Sequence, residues 1–319
     1  MSRQLNQRPR VLALAGGVGA ARLLRGLVRV VPPERVTAIV NTGDDRLFYG
    51  VHVSPDLDIV TYTLAGRVDP ARGFGLEGDS FQLIEALGQL GHETWFRLGD
   101  RDFATCQHRS LRLAEGVGLA AVSDELRRCF GVATQILPMS EEPCPTFVEL
   151  SGGRRVHFEE YLVRDGAPSD VEGVDLSAAS GAQPAPGVLE AIHAADVIVF
   201  CPSNPVVSIG PILAVRGIRE AIRAAGVPSV AISPIVGGAP VKGPADALLR
   251  GVGAEVSARG VARLYRDLVG AYVLDERDRA ELADIEALGL RAVATDTIMR
   301  DVETSARLAE TALELAAPR

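Results

Sequence analysis

The sequence lacks the signatures of several protein classes. Its four cysteines, Cys106, Cys129, Cys144 and Cys201, include no C-x-x-C pair. That spacing does not read as a zinc site, and a cysteine set in an apolar strand suits a buried reduced thiol. Aromatic residues make up 5% of the chain, while Ala, Val, Leu and Gly are abundant. Such a mix suits helices packed closely on buried parallel strands. Of the 33 basic residues all but Lys242 are Arg, no basic tail stands out, and the formal net charge is −8. That balance gives no electrostatic footprint for nucleic acid. No apolar run reaches membrane-spanning length, and no signal-like apolar stretch precedes the first strand, so no membrane partner and a cytoplasmic location are expected. The five histidines form no H-x-x-x-H pair; His52 and His108 lie near acidic segments but read more simply as packed or solvated residues. No G-x-S-x-G elbow is present, so a hydrolase triad has no support.

What is present is a well-filled α/β pattern. The 319 residues are 47% apolar, enough for one large α/β domain or two smaller ones. The first ten residues are polar and are expected to be loose. Residues 11–15 then read as a buried strand, 16–19 as a glycine turn, 20–30 as a helix and 36–40 as a second strand. This βαβ opening predicts a Rossmann-like, mostly parallel sheet with helices on both faces. Further strands are expected at 95–98, 134–137, 197–200, 229–232, 271–274 and 291–294. Residues 146–150 and 156–163 read as a β-hairpin across Gly152 and Gly153. Residues 136–185 are therefore expected to form an insert or small second lobe, with 1–135 and 186–319 as the nucleotide-binding core.

Five polar clusters fall where strands end, which is where open parallel sheets bind ligands. The turn Gly16-Gly17-Val18-Gly19 lets a backbone approach phosphate oxygens at a helix N-terminus. It is not a Walker loop, since no Gly-Lys-Ser/Thr follows. It is also an incomplete dinucleotide fingerprint: Arg22 stands at the third glycine position, and the second strand ends in Asn41 rather than an acid. A dehydrogenase remains the alternative of the same broad class, and a non-catalytic nucleotide-binding regulator that of another. The second cluster is Asp44, Asp45, Asp56 and Asp58. Four carboxylates so close suit a magnesium ion shared with a diphosphate, although each Asp also suits a turn or a helix cap. The third is Arg97-Leu98-Gly99-Asp100-Arg101-Asp102, the fourth Pro202-Ser203-Asn204-Pro205, and the fifth Ser233 to Gly238 with Lys242. Asn and Ser on the proline-braced fourth loop can read a base edge or a phosphate.

Taken in order, these motifs resemble one family: the 2-phospho-L-lactate transferases of deazaflavin coenzyme F-420 biosynthesis. The matching stretches are Leu14 to Gly19, Val40 to Asp45, Pro55-Asp56-Leu57-Asp58 and Leu98 to Asp102 with His108. They continue with Leu137 to Ser140, Pro202 to Pro211, Ser233 to Gly237 and Asp296-Thr297. The resemblance runs from about residue 11 to residue 315. It implies an Mg²⁺-dependent transferase. A phospho-carboxylate unit (2-phospho-L-lactate, phosphoenolpyruvate or 3-phosphoglycerate type) would pass from a guanosine diphosphate-linked donor to the ribityl hydroxyl of Fo, 8-hydroxy-5-deazariboflavin, releasing GMP. It further implies Asp58 and Arg97 as Fo contacts, Asp58 and Asp45 as catalytic residues, and Asp44, Asp45, Asp56 and Asp58 around the metal. Gly16, Gly17, Gly19, Asn41, Ser203 and Asn204 would hold the guanine nucleotide, and the active unit would be a homodimer. Val18 stands where archaeal members often carry Thr, which leaves the acid part of the donor open.

Overall fold

A strand covered by helices on both faces must be apolar on both, and the sheet follows that rule. The computed structural model describes residues 9–318. Seven parallel strands form its central sheet: β1 (Val11–Ala15), β2 (Val36–Val40), β3 (Gln135–Pro138), β4 (Val197–Phe200), β5 (Ser229–Ile232), β6 (Ala271–Asp275) and β7 (Arg291–Thr295). Their order is β7-β6-β5-β4-β1-β2-β3, and every neighbouring pair is parallel. β1, β4 and β6 are buried along their whole length, whereas the edge strand β7 is mostly half-buried. Alternate residues serve opposite cores. Leu12, Leu14, Ile198, Phe200, Tyr272 and Leu274 face one, and Val11, Ala13, Val197, Val199, Ala271 and Val273 face the other.

The chain steps outward from β1 to β2 and β3, then returns to β1's other side with β4. The direction of winding reverses between β1 and β4, and a crevice opens at such a point. The second core is closed by helices Gly17–Val30, Pro55–Leu64 and Val302–Ala316. The first and last of these touch backbone to backbone: a Cβ added at Gly26 would lie 2.2 Å from the carbonyl carbon of Ser305.

The hairpin expected in the middle of the chain gains a third strand. Phe147–Leu150 pairs antiparallel with both Arg154–His157 and Val171–Asp175. Its apolar face does not build a core of its own, because Val148, Leu150, Val156, Phe158 and Tyr161 join the same core as Leu12 and Phe200. The second hairpin strand stops at His157, and the chain turns into a π-helical segment at Glu160–Arg164. No strand forms at 95–98. Instead Phe96 stacks on Phe48 with ring centroids 4.0 Å apart, and Leu98 packs against the small hairpin Arg46–Phe48/Val51–Val53. The aromatic side chains are satisfied by that hairpin, away from the main sheet. Arg10 is fixed rather than loose, since its N–H donates to Asp196 Oδ2 at 2.8 Å. The rest of that expectation concerns residues 1–8, which lie outside the described residues. No helix among the described residues is long and apolar enough to cross a membrane.

Candidate functional site

At the switch point, β1 runs into Gly16 and Gly17. Gly17 adopts a left-handed φ of +70° as the helix begins, a conformation that favours glycine. Gly16 and Gly19 are required for a different reason. A Cβ at Gly16 would lie 2.7 Å from Ser208 Cβ, and one at Gly19 would lie 2.4 Å from the Pro202 carbonyl oxygen. The loop after β1 is thus pressed against the loop after β4. Ser203 locks them, donating from Oγ to the Gly16 carbonyl at 2.8 Å and accepting from the Gly16 N–H at 3.4 Å. Asn204 shapes its own loop: its Oδ1 accepts from the N–H groups of Val206 (2.9 Å) and Val207 (3.3 Å). Between these loops lies a cavity of about 360 Å³, whose wall includes Gly16, Gly17, Gly19, Ser203, Asn204 and Asp56.

The four aspartates are not gathered in one place. Asp44 and Asp56 line this cavity, joined by Glu159 from the insert. All three are buried. Asp56 accepts from the Gly17 N–H at 2.7 Å and from Asn41 Nδ2 at 2.9 Å. Burial nevertheless pushes its carboxyl up to about 6, those two hydrogen bonds opposing the rise. Burial, with the neighbouring Asp56 next, pushes Glu159 up to about 8. Asp44 is raised well above the usual carboxylate range by burial, then by Asp56 and Glu159. Its Oδ1 is buried with no hydrogen-bond partner among the described residues.

Asp45 turns elsewhere. Its Oδ2 accepts from Ser54 Oγ at 2.7 Å and lies 3.0 Å from His52 Nε2. It borders a second recess with Arg46, Arg155, His157 and Glu160. Asp58 faces the opposite side of its helix and forms a buried ion pair with Arg109, which is 1% exposed. Arg109 also donates to the His52 carbonyl at 3.1 Å. Asp58, Asp102 and Cys106 offer ligand atoms within 4.8 Å of one another, but Arg109 already supplies the cation there. Burial, then the Asp58 charge, raises Asp102 to about 7, and Tyr62 donates to it at 2.7 Å. Burial raises the Asp58 carboxyl too, with Arg109 opposing. Arg97 is exposed, 3.8 Å from Glu85 Oε1, with its guanidinium over the Phe81 ring.

Asn41 is fully buried. It donates to Asp56 and accepts from the Gly43 N–H at 2.8 Å, so it holds the cavity wall from behind. Two residues of the site escaped the reading of the sequence. Glu159 lies within residues 156–163, read as a hairpin strand, but the observed strand ends at His157. Arg109 sits on the helix Asp100–Ala114, outside the stretches singled out in the sequence. Neither carried a motif, although an Arg spaced one turn from Cys106 on a half-apolar helix was a weak signal.

The cavity's donor set fits a hard divalent cation. Its three acidic residues offer carboxylate oxygens, and Asp44 has an unsatisfied buried oxygen among the described residues. Mg²⁺ takes one or two carboxylates and completes its shell with water and phosphate oxygens.

A family model described as "2-phospho-L-lactate transferase CofD" matches residues 11–312. The chain is 48% identical over 313 residues to a phosphoenolpyruvate transferase of Kitasatospora aureofaciens, covering 96% of this chain and 98% of that protein. It is 41% identical over 300 residues to a 2-phospho-L-lactate transferase of Methanosarcina mazei, covering 94% and 98%. Among solved structures, a upf0052 family protein of Bacillus halodurans superposes with a TM-score of 0.67 at 21% identity, covering 96% of this chain and 99% of that one. That likeness concerns the fold.

Proposed function

The chain belongs to the 2-phospho-L-lactate transferase CofD family, and from that premise we propose that it builds a coenzyme F-420 precursor by transferring a phospho-carboxylate unit from a guanosine diphosphate-linked donor to the ribityl hydroxyl of Fo. Family membership makes it a transferase, which removes the dehydrogenase and the non-catalytic regulator. An enolpyruvyl-type donor is favoured, because the relative named a phosphoenolpyruvate transferase is 48% identical and the one named a 2-phospho-L-lactate transferase is 41% identical.

The observation that carries the reading is the meeting of Asp44 and Asp56 with the glycine turn in one cavity at the strand switch. A diphosphate needs both amide-rich backbone and a counter-charge for acidic groups that would otherwise repel it. Asp44 and Asp56 would hold Mg²⁺, with Glu159 beside them. The ion would neutralise diphosphate charge when bound. Gly16, Gly17, Gly19, Ser203 and Asn204 would bear on the nucleotide, while Asn41 fixes Asp56.

In the reaction, the acceptor hydroxyl oxygen forms a bond to the phosphorus that carries the carboxylate-bearing unit. The bond from that phosphorus to the bridging oxygen breaks, and GMP leaves with that oxygen. The hydroxyl proton passes to a carboxylate, for which Asp58 and Asp45 are the candidates. Asp58 and Arg97 would contact Fo, and to do so each would exchange a present partner, Arg109 for Asp58 and Glu85 for Arg97. A homodimer is the proposed working form, read by sedimentation. The test of function is mass spectrometry after incubating the chain with Fo, Mg²⁺ and each of the three donor types. An Fo adduct carrying enolpyruvyl phosphate, with GMP released, is expected. No adduct from any donor would reject the reading.

A further inference from the structure

The same cavity is also lined by two cations that the proposed reaction leaves without a role, Arg22 and Lys242. Lys242 is the only Lys in a chain of 33 basic residues. It lies between the short antiparallel pair Ile235–Val236/Ala239–Pro240 and the helix Ala245–Gly251. Neither Arg22 nor Lys242 takes part in an ion pair among the described residues, although most of the other arginines named here do. Both instead meet the loop segment Gly73-Phe74. Lys242 Nζ lies 5.5 Å from the centre of the Phe74 ring, and a Cβ at Gly73 would lie 3.6 Å from Arg22 Nη2.

We propose that Lys242, with Arg22, forms an oxyanion subsite on the cavity wall that grips a charged oxygen of the donor, and this inference rests on the nucleotide-donor reading. Two cations without an ion pair among the described residues and three buried carboxylates line the same cavity. A ligand that carries a metal at one end and a free oxyanion at the other satisfies both at once. A flexible ammonium suits that task as a point charge. Its contact with an exposed aromatic ring is weak beside a charged oxygen, so Phe74 holds it only until the ligand arrives. The oxygen can belong to the diphosphate or to the carboxylate of the transferred unit.

A single Lys makes the test direct. Acetylation with an amine-specific reagent marks only Lys242 and the N-terminal amine, and the second serves as internal control in peptide mass spectrometry. GDP with Mg²⁺, and separately phosphoenolpyruvate with Mg²⁺, is added before the reagent. Protection of Lys242 by GDP assigns the diphosphate, and protection by phosphoenolpyruvate without GDP assigns the carboxylate-bearing unit; either supports the subsite. Calorimetry on Lys242→Met is expected to show GDP affinity lowered about tenfold, largely recovered in Lys242→Arg, with Fo affinity unchanged. GDP that binds the unaltered chain and Lys242→Met equally well, with Lys242 labelled at the same rate whether GDP or phosphoenolpyruvate is present, overturns the subsite alone. GDP that does not bind the unaltered chain overturns the donor reading and the subsite together.

Discussion

The N–H of Gly17 donates to Asp56 Oδ1 at 2.7 Å. The glycine turn therefore spends an amide on a carboxylate of its own chain, in the place where such turns commonly offer amides to phosphate. A cation that draws on Asp56 and a diphosphate that draws on the turn would act on the same hydrogen bond.

Asp56→Asn should uncouple metal from nucleotide. The substitution removes the charge and keeps an oxygen for Gly17. GDP affinity measured by calorimetry should lose its dependence on Mg²⁺, while affinity in chelator stays level or improves. Turnover should fall at least about 100-fold, as for loss of a charge-stabilising group. Wild-type dependence of GDP binding on Mg²⁺ in this variant would remove Asp56 from the metal site.

Stability in chelator should decline as pH rises. Burial lifts Asp56 to about 6, Asp102 to about 7 and Glu159 to about 8, against roughly 4 in an unfolded chain. The folded form then holds protons that the unfolded form has released, so stability present at pH 4 is lost as pH passes through 6 to 8. Mg²⁺ should flatten the slope, since it binds the ionised groups. Melting temperatures across pH 5–8, with and without Mg²⁺, check both; a midpoint climbing through that range in chelator would contradict the first.

Asn204 offers a contrast between shape and charge. Its Oδ1 takes two backbone N–H groups of its own loop. Asn204→Ala should therefore cost about 1 kcal/mol in stability and weaken GDP binding as the loop slackens. Asn204→Asp keeps the acceptor, so stability should hold while GDP affinity falls through repulsion of phosphate. Unchanged GDP affinity in both variants would take this loop out of the nucleotide site.

The sheet was legible because strands such as Val11–Ala15 and Val197–Phe200 are apolar without interruption, and buried parallel strands need that. The glycine turn and the proline-braced loop were legible because both sit at strand ends. The division of labour among the aspartates was not. Asp44 and Asp45 are adjacent, yet one borders the cavity and the other is bonded to Ser54 and His52. Asp56 and Asp58 are two apart on a helix, which turns them to different sides. Sequence spacing alone gives proximity, and the partners that separate them, Asn41 and Arg109, come from distant positions. Trp95 to Leu98 had strand composition but found aromatic neighbours in place of a sheet edge.

The pair Asp58 and Arg109 separates structure from catalysis. Arg109 is fully buried and Asp58 nearly so. Arg109→Met would leave Asp58 close to Asp102 with no cation between them, and loss of one partner of a buried pair costs about 3–5 kcal/mol. Asp58→Asn should destabilise as well, because it strands Arg109. The double variant Asp58→Asn/Arg109→Met removes both charges, and denaturant unfolding should show much of the stability regained. Turnover then decides the role of Asp58. If it only neutralises Arg109, activity should return with stability. If it receives the acceptor's proton, the double variant should fold and bind GDP yet stay about 10²–10⁴-fold slower. The second outcome is expected, since Asp58 lies in the Pro55-Asp56-Leu57-Asp58 stretch, two residues from Asp56, which is proposed to hold the metal. A double variant with near-normal turnover would leave Asp58 a purely structural counter-ion.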